Sequence, residues 1–241
     1  ERTAGVTPDI IRVMSFNLWH GGDAGGQPIE QSVRVIEAAR PDVVGLQETH
    51  GLPRALARDG RGRQADGLHE LQIEGPRPDR AAELAAILGW NCFDQGERRA
   101  ILSRHRLSSA TLGRWGVRVD LPSGWAFFLF NAHLMYRPYQ PYQILRIPYE
   151  DDPFLETEAE VIQAARAARA AQVESLLSGT HAAQASGLPL FLTGDFNEPS
   201  HQDWTEAAAR AGRCPIKVEF PSTKRLTDAG LIDVYRHFHP D

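Results

Sequence analysis

Several short apolar runs, each closed by a polar residue where the run ends, constrain this chain more than any other feature. Val-Met-Ser-Phe leads to Asn17, and Val-Val-Gly-Leu to Gln47 and Glu48. Leu-Phe-Asn-Ala leads to His133, and Leu-Phe-Leu-Thr-Gly to Asp195, with Asn197 two residues on. Apolar runs of roughly four to eight residues are strand-sized. Helical patterns separate them, so the chain reads as α/β. A buried strand that ends in carboxylate, amide or imidazole carries hard oxygen ligands and hydrogen-bond donors to one rim of a sheet.

The order of elements follows from local signals. Ile10–Phe16 is a strand that reaches Asn17 and then a loop with Gly21, Gly22, Gly25 and Gly26. Val33 and Ile36 recur at helical spacing between Glu30 and Ala39, with Pro41 as the stop. Val43–Leu46 is a second buried strand, and Gly51 to Gly67, rich in Arg, Asp and Gly, reads as a mobile surface loop. Asp79 is placed to cap a helix running to Leu88, with Gly89 as its end. Ala100–Ser103 is a short strand, and residues 111–119 and 125–132 form a hairpin across Pro122-Ser123-Gly124. Thr157 and Glu160 make a capping box at the head of an alanine-rich helix that Gly179 closes. Pro189–Thr193 is an apolar strand, Ser200 with Asp203 marks a further helix start, and Asp228–Tyr235 is a helix or turn with Leu231, Ile232 and Val234 inward. With no repeat, tail or linker, residues 1–241 are expected to form one domain.

Bulk composition excludes several classes. An apolar content of 42% with 24% charged residues is that of a globular chain. No apolar stretch approaches the roughly 20 residues of a membrane helix. The formal net charge is −5, and Lys217 and Lys224 are the sole lysines. A chain that grips nucleic acid needs a basic face, so the balance disfavours DNA or RNA. Cys92 and Cys214 fit one disulfide or two inert thiols equally well. The chain starts at Glu1, as a processed secreted protein or a trimmed chain would, and secretion is the expectation.

The polar residues at the strand ends suit a divalent cation and a phosphate ester. One carboxylate with waters and substrate oxygens satisfies Mg2+, which makes Glu48 a metal ligand candidate, with Asn17 adding an amide oxygen. Asp195 and Asn197 face the same side if the extended backbone persists past Gly194. Asp195 then orients an attacking water, and Asn197 offers an N–H to a phosphate oxygen. The competing reading of that pair is an Asx-turn leaving the strand. His133 is placed to donate to a phosphate oxygen or to the leaving group, or else to serve as a packed structural histidine.

Together these residues resemble the endonuclease/exonuclease/phosphatase superfamily of metal-dependent phosphoesterases. The pieces are Ser-Phe-Asn17, Pro-Asp-Val-Val-Gly-Leu-Gln-Glu48, Ala-Ile-Leu-Ser-Arg104, Asn131-Ala-His133-Leu and Leu-Thr-Gly-Asp195-Phe-Asn197, in the family's order. The resemblance implies a four-layer α/β/β/α sandwich of two mixed sheets. It implies Mg2+, with Mn2+ or Ca2+ as substitutes, held by Glu48 beside Asn17. It also implies Asn131 as a residue shaping the substrate site, His133 on the phosphate, Asp195 aligning the nucleophile and Asn197 stabilising the pentacovalent phosphorus.

The family's closing Ser-Asp-His segment has no match. His237-Phe-His239-Pro-Asp241, with Asp233, offers the late candidates, and no apolar strand follows. The resemblance therefore implies a domain lacking its final strands, whose C-terminal remainder would be a partner, or else a catalytically impaired chain. The Tyr136, Tyr139 and Tyr142 loop, with two prolines, reads as a substrate wall for a cationic head group, as a base-stacking surface, or as a packed corner. The charge balance favours a small or lipid-like phosphodiester over nucleic acid, with a membrane relevant as a lipid surface alone. A phosphoester-binding module without turnover is the rival class.

Overall fold

Val43–Leu46 is apolar at every position but Gly45, and a strand of that kind must be covered on both faces. The computed structural model describes residues 10–53 and 76–240. They fall into two units, one running to Ala132 and including Ala182–Gly194, the other comprising His133–His181 and the chain from Asp195. Residues 54–75, which carry most of the expected surface loop, lie outside the described residues, as does Asp241.

The first unit contains strand β1 (Val13–Asn17), helix α1 (Ile29–Ala39), β2 (Val43–Gln47), α2 (Arg80–Leu88), β3 (Asn91–Gly96) and β4 (Arg99–Ser103). Its first sheet has the order β1-β2-β4-β3. β1 and β2 are parallel, and the other neighbours are antiparallel. Parallel neighbours need a crossover, which α1 supplies. Asp79 accepts from the N–H groups of Ala81 and Ala82, and Gly89 ends α2 at φ 68°. Such a cap contributes about 1 kcal/mol. Arg40, in the left-handed region at φ 51°, ends α1 one residue before the expected Pro41.

The second sheet has the order β5-β6-β7-β8, with β5 at Arg106–Ala110, β6 at Gly116–Asp120, β7 at Ala126–His133 and β8 at Leu190–Asp195. The expected hairpin is β6 against β7, in antiparallel register from Gly116↔Phe130 to Asp120↔Ala126. Phe128 N donates to Pro189 O and Leu134 N to Asp195 O. Six residues separate these bonds on each strand, so β8 runs parallel to β7 and this sheet is also mixed.

Alternation along the strands divides the core. Val43 and Ile101 pack against Val117, Val119, Leu121, Phe127 and Leu129 between the two sheets. Val44, Leu46, Ala100 and Leu102 turn the other way, onto Val33 and Ile36 of α1 and Leu84 of α2. Each fully buried Val, Leu, Ile or Phe contributes roughly 1.5–3 kcal/mol. Two mixed four-stranded sheets packed with helices give the α/β sandwich that the sequence indicates.

The second unit holds α3 (Gln140–Leu145), the body of α4 (Glu158–Ala185), α5 (Glu206–Arg210), α6 (Pro221–Asp228) and α7 (Val234–Phe238). The capping box at α4 forms as expected, Thr157 N donating to Glu160 Oε2 at 3.0 Å and Glu160 N to Thr157 Oγ1 at 3.3 Å. Gly179 does not close α4. A mid-helix glycine costs about 1 kcal/mol, and the buried Leu176, Leu177, Thr180 and Ala183 on either side outweigh it.

Ser200 and Asp203 do not start a helix, because both side chains are engaged elsewhere. Ser200 Oγ donates to Asp233 Oδ2, and Asp203 accepts from Arg236 Nε. The helix begins at Glu206 instead, capped by Thr205. Ile232 and Val234 point outward, 69% and 62% exposed, against the expected inward face. No strand follows β8 among the described residues. Cys92 and Cys214 are free thiols.

Candidate active site

The faces that meet between the sheets change character along the strands. On β7, Phe127 and Leu129 are apolar, Asn131 is next on that face, and His133 follows two residues later. On β2, Val43 gives way to Gly45 and then Gln47. Gln47 Nε2 donates to Asn131 Oδ1 at 2.6 Å, and Asn131 Nδ2 donates to Leu46 O at 2.8 Å and Gln95 Oε1 at 2.9 Å. Gln95 Nε2 returns to Asn131 O and Trp115 O. Beside them the buried Arg99 guanidinium lies over the Trp115 ring, 4.2 Å from its centroid. Gln47, Asn131 and Gln95 therefore form a hydrogen-bonded layer whose members Gln47 and Asn131 shortly precede Glu48 and His133 in the chain, while Nε and Nη1 of Arg99 have no hydrogen-bond partner among the described residues. Asn131, expected to line the substrate site, is fully buried and bonded inward.

Gly45 makes this layer possible. A side chain there would place Cβ 2.6 Å from Asn131 Oδ1 and 2.7 Å from Thr193 Oγ1.

Glu48 follows β2 with φ 54°, in the left-handed region. Asn17 Nδ2 donates to its Oε1 at 2.8 Å, and His20 N to its Oε2 at 3.0 Å. Both carboxylate oxygens thus accept from donors at the end of β1 and in the segment that follows it. Asn17 Oδ1 accepts from Trp19 N at 2.8 Å, which occupies one of its two lone pairs. Trp19 and His20 also have positive φ, 50° and 54°. Non-glycine residues in that region cost of order 1–3 kcal/mol each, and such strain concentrates at functional sites.

His133 and Asp195 are the last residues of β7 and β8, so their positions continue those strands. The expected extended path beyond Gly194 is not taken. Asn197 turns at φ 48°, its N–H donating to Asp195 Oδ1 at 3.0 Å, which is the Asx-turn. Its Nδ2 donates to Leu134 O, also at 3.0 Å. Glu48 in the first unit, and His133 and Asp195 in the second, each offer one possible ligand atom. Two carboxylates are hard donors suited to Mg2+, Mn2+ or Ca2+. The imidazole is better matched to a phosphate oxygen.

Tyr139 meets Tyr142 edge to face, with centroids 4.9 Å apart, and Tyr142 meets Tyr149 at 5.8 Å. Burial raises the Tyr139 pKa, helped by Tyr142 and by the charge of Asp195. Tyr136 is half-buried nearby in sequence. The loop is thus a stacked aromatic corner that includes a tyrosine, Tyr149, which its sequence does not mark. Of the late residues, Asp233 caps α7, and His239 ends that helix with its ring 4.8 Å from Tyr235.

The sequence pattern of the Endonuclease/Exonuclease/phosphatase family matches residues 14–240. The chain belongs to that family. An uncharacterized protein of Caenorhabditis elegans is 25% identical over 249 residues, covering 98% of this chain and 68% of the relative. The solved structure of an endonuclease/exonuclease/phosphatase from Beutenbergia cavernae superposes with a TM-score of 0.52 at 17% identity, over 94% of this chain and 55% of that one. The chain therefore spans about half the length of that structure. A humanized TDP2 of D. rerio gives a TM-score of 0.43 at 13% identity, over 96% of this chain and 73% of that one.

Several residues at this family site carry no sequence signal of their own. His20 follows a strand end and precedes Gly21-Gly22, and it reads only as loop. Its ring is buried, and Nδ1 accepts from Arg77 Nη2 at 3.3 Å. An arginine only donates, so the neutral ring carries its proton on Nε2. Burial is the main reason its pKa lies below 6.5, with Arg77 and Arg98 lowering it further against Glu48 and Asp23. A depressed folded-state pKa gives stability that is complete above the unfolded value and lost as the pH falls to the folded one. In chelator-treated protein, the urea midpoint should fall as the pH is lowered below the ordinary histidine value. His20→Gln should flatten that dependence, and parallel curves for the two proteins would refute the assignment.

Proposed function

We propose that this chain is a divalent-metal-dependent hydrolase that cleaves a phosphodiester by in-line attack of water. The observation that carries this reading is that Glu48 directly follows the buried β2 while His133 and Asp195 end β7 and β8, each offering a possible metal or phosphate ligand atom, in a chain of a phosphoesterase family. A bound cation, Mg2+ in the first instance, would neutralise charge on the phosphoryl oxygens. Glu48, fixed by Asn17 and the His20 backbone, would hold it. Asp195, an acceptor only, orients the attacking water. His133 and the Asn197 amide donate to phosphate oxygens as negative charge accumulates. Residues 1–241 act as one catalytic domain.

The substrate is a small or lipid-like phosphodiester, with Tyr136, Tyr139 and Tyr142 beside its leaving group. Support comes from the net charge of −5, which gives no basic surplus for gripping a polyanion. Aromatic faces suit a cationic or apolar head group better than a bare phosphate. Secretion accords with that substrate class.

Hydrolysis should be assayed on phosphocholine lipids, glycerophosphodiesters and plasmid DNA, each with Mg2+ and with excess chelator. Metal-dependent release from a small diester, outpacing DNA cleavage, is the expected result. Faster cleavage of DNA would replace the substrate assignment with a nuclease. Cation binding with no turnover on any member would make the chain a binding module.

A further inference from the structure

The second unit buries an ion pair at its centre, where catalysis as set out above has no use for charge. Arg169 lies midway along α4 on a stripe formed by Val161, Ala165, Val173 and Leu176, and its side chain is fully enclosed. Glu198, equally enclosed, stands 3.6 Å away. A buried pair of this kind stabilises a fold no better than apolar residues of the same volume, because both charges must be desolvated. Burial pushes the Arg169 pKa down and the Glu198 pKa up, against their mutual attraction. Geometry is the better explanation for their presence.

The bonds of the pair run to two segments next to catalytic residues. Arg169 Nη1 donates to Gln140 Oε1 at 2.6 Å and Nη2 to Pro138 O at 2.9 Å, which fixes the loop between Tyr136 and Tyr142. One turn along α4, Gln172 Oε1 accepts from Met135 N at 2.7 Å. On the other side Glu198 directly follows Asn197. Its carboxylate accepts from Ser222 N at 2.7 Å and Ser222 Oγ at 2.9 Å. The planar guanidinium donates to Gln140 and Pro138 from a fixed fork while facing Glu198 at 3.6 Å, a geometry that a lysine ammonium does not reproduce.

We propose that Arg169 and Glu198 are positioning residues that lock the Asp195–Asn197 turn and the tyrosine loop to one helix. This rests on the phosphoesterase reading. The pair sets the register between the groups on the phosphate and the wall beside the leaving group, and it touches neither substrate nor metal.

Glu198→Gln and Arg169→Lys test the pair, with kcat, KM, Mn2+ affinity and amide hydrogen exchange measured on folded protein. Misplacement of reacting groups by about 1 Å costs on the order of a hundredfold. Both variants should therefore lose kcat by about 10- to 100-fold and raise KM, with a smaller loss of Mn2+ affinity because Glu48 lies outside the network while Asp195 lies within it. Exchange should quicken together in residues 134–143 and 195–200. A merely structural pair would lower the folded fraction and leave kcat and KM per folded molecule unaltered, which overturns the proposal. Exchange that changes in one segment alone also overturns it. If wild type turns over no diester, the functional reading fails, while the paired exchange still decides the coupling. Should either variant not fold, Gln140→Met removes one neutral arm of Arg169 and gives the same readouts.

Discussion

Glu48→Gln should lower kcat/KM at saturating Mg2+ by about a thousandfold while the protein stays folded. Two effects combine. The negative charge that would hold the cation disappears, and Lewis-acid stabilisation of a phosphoryl transfer is worth several kcal/mol, with each 1.36 kcal/mol a factor of about ten. The isosteric amide also fits its surroundings poorly. Asn17 Nδ2 and His20 N point at the two oxygens of Glu48, so a glutamine must set its own N–H groups against one of these donors. Cation titration by calorimetry should show a matching loss of affinity, and circular dichroism should be unchanged. Retained affinity and turnover would remove Glu48 from the metal site and undo the functional assignment.

The rim residues were legible because burial dictated them. β2 is buried at every position, so its apolar run is dictated by burial and Glu48, after the buried Gln47, marks where the sheet emerges, whereas β8 keeps an apolar run although it is only partly buried. Two of the four edge strands gave no such mark. β3 and β5 lie at the edges of their sheets, and most of their residues are exposed or half-buried. Asn-Cys-Phe-Asp-Gln-Gly and Arg-Leu-Ser-Ser-Ala therefore carry little of the alternation that identifies a strand. Side-chain direction at the site was decided by single hydrogen bonds and not by periodicity. Trp19 N captures the oxygen of Asn17, and Asp195 captures the N–H of Asn197, and neither event leaves a trace in spacing. Arg169 is the opposite case. A lone arginine four residues from Ala165 and Val173 on an otherwise apolar stripe was a visible sign of a buried charge needing a partner, which Glu198 supplies.

Gly194→Ala should destabilise the fold by about 3–5 kcal/mol, the sum of overpacking and backbone strain. Gly194 adopts φ +150°, which side-chain-bearing residues rarely do. A Cβ there would stand 2.2 Å from Ala132 O and 2.7 Å from Ala132 N. Those are main-chain atoms of the neighbouring strand, with no rotamer through which to yield, so β8 must move away from β7. Ala132 immediately precedes His133, and Gly194 immediately precedes Asp195, so the displacement falls on the two strand ends that the proposed chemistry needs together. At about 2–4 °C per kcal/mol for a chain of this size, Tm should drop by roughly 10 °C or more. Gly187→Ala provides the control. That glycine also has positive φ, +71°, but nothing lies within 4 Å of the added carbon. It should lose only about 1 kcal/mol for its backbone conformation. Scanning calorimetry of the two variants separates steric clash from backbone strain, and equal Tm shifts would mean that the close approach of β7 and β8 at Gly194 does not hold in solution.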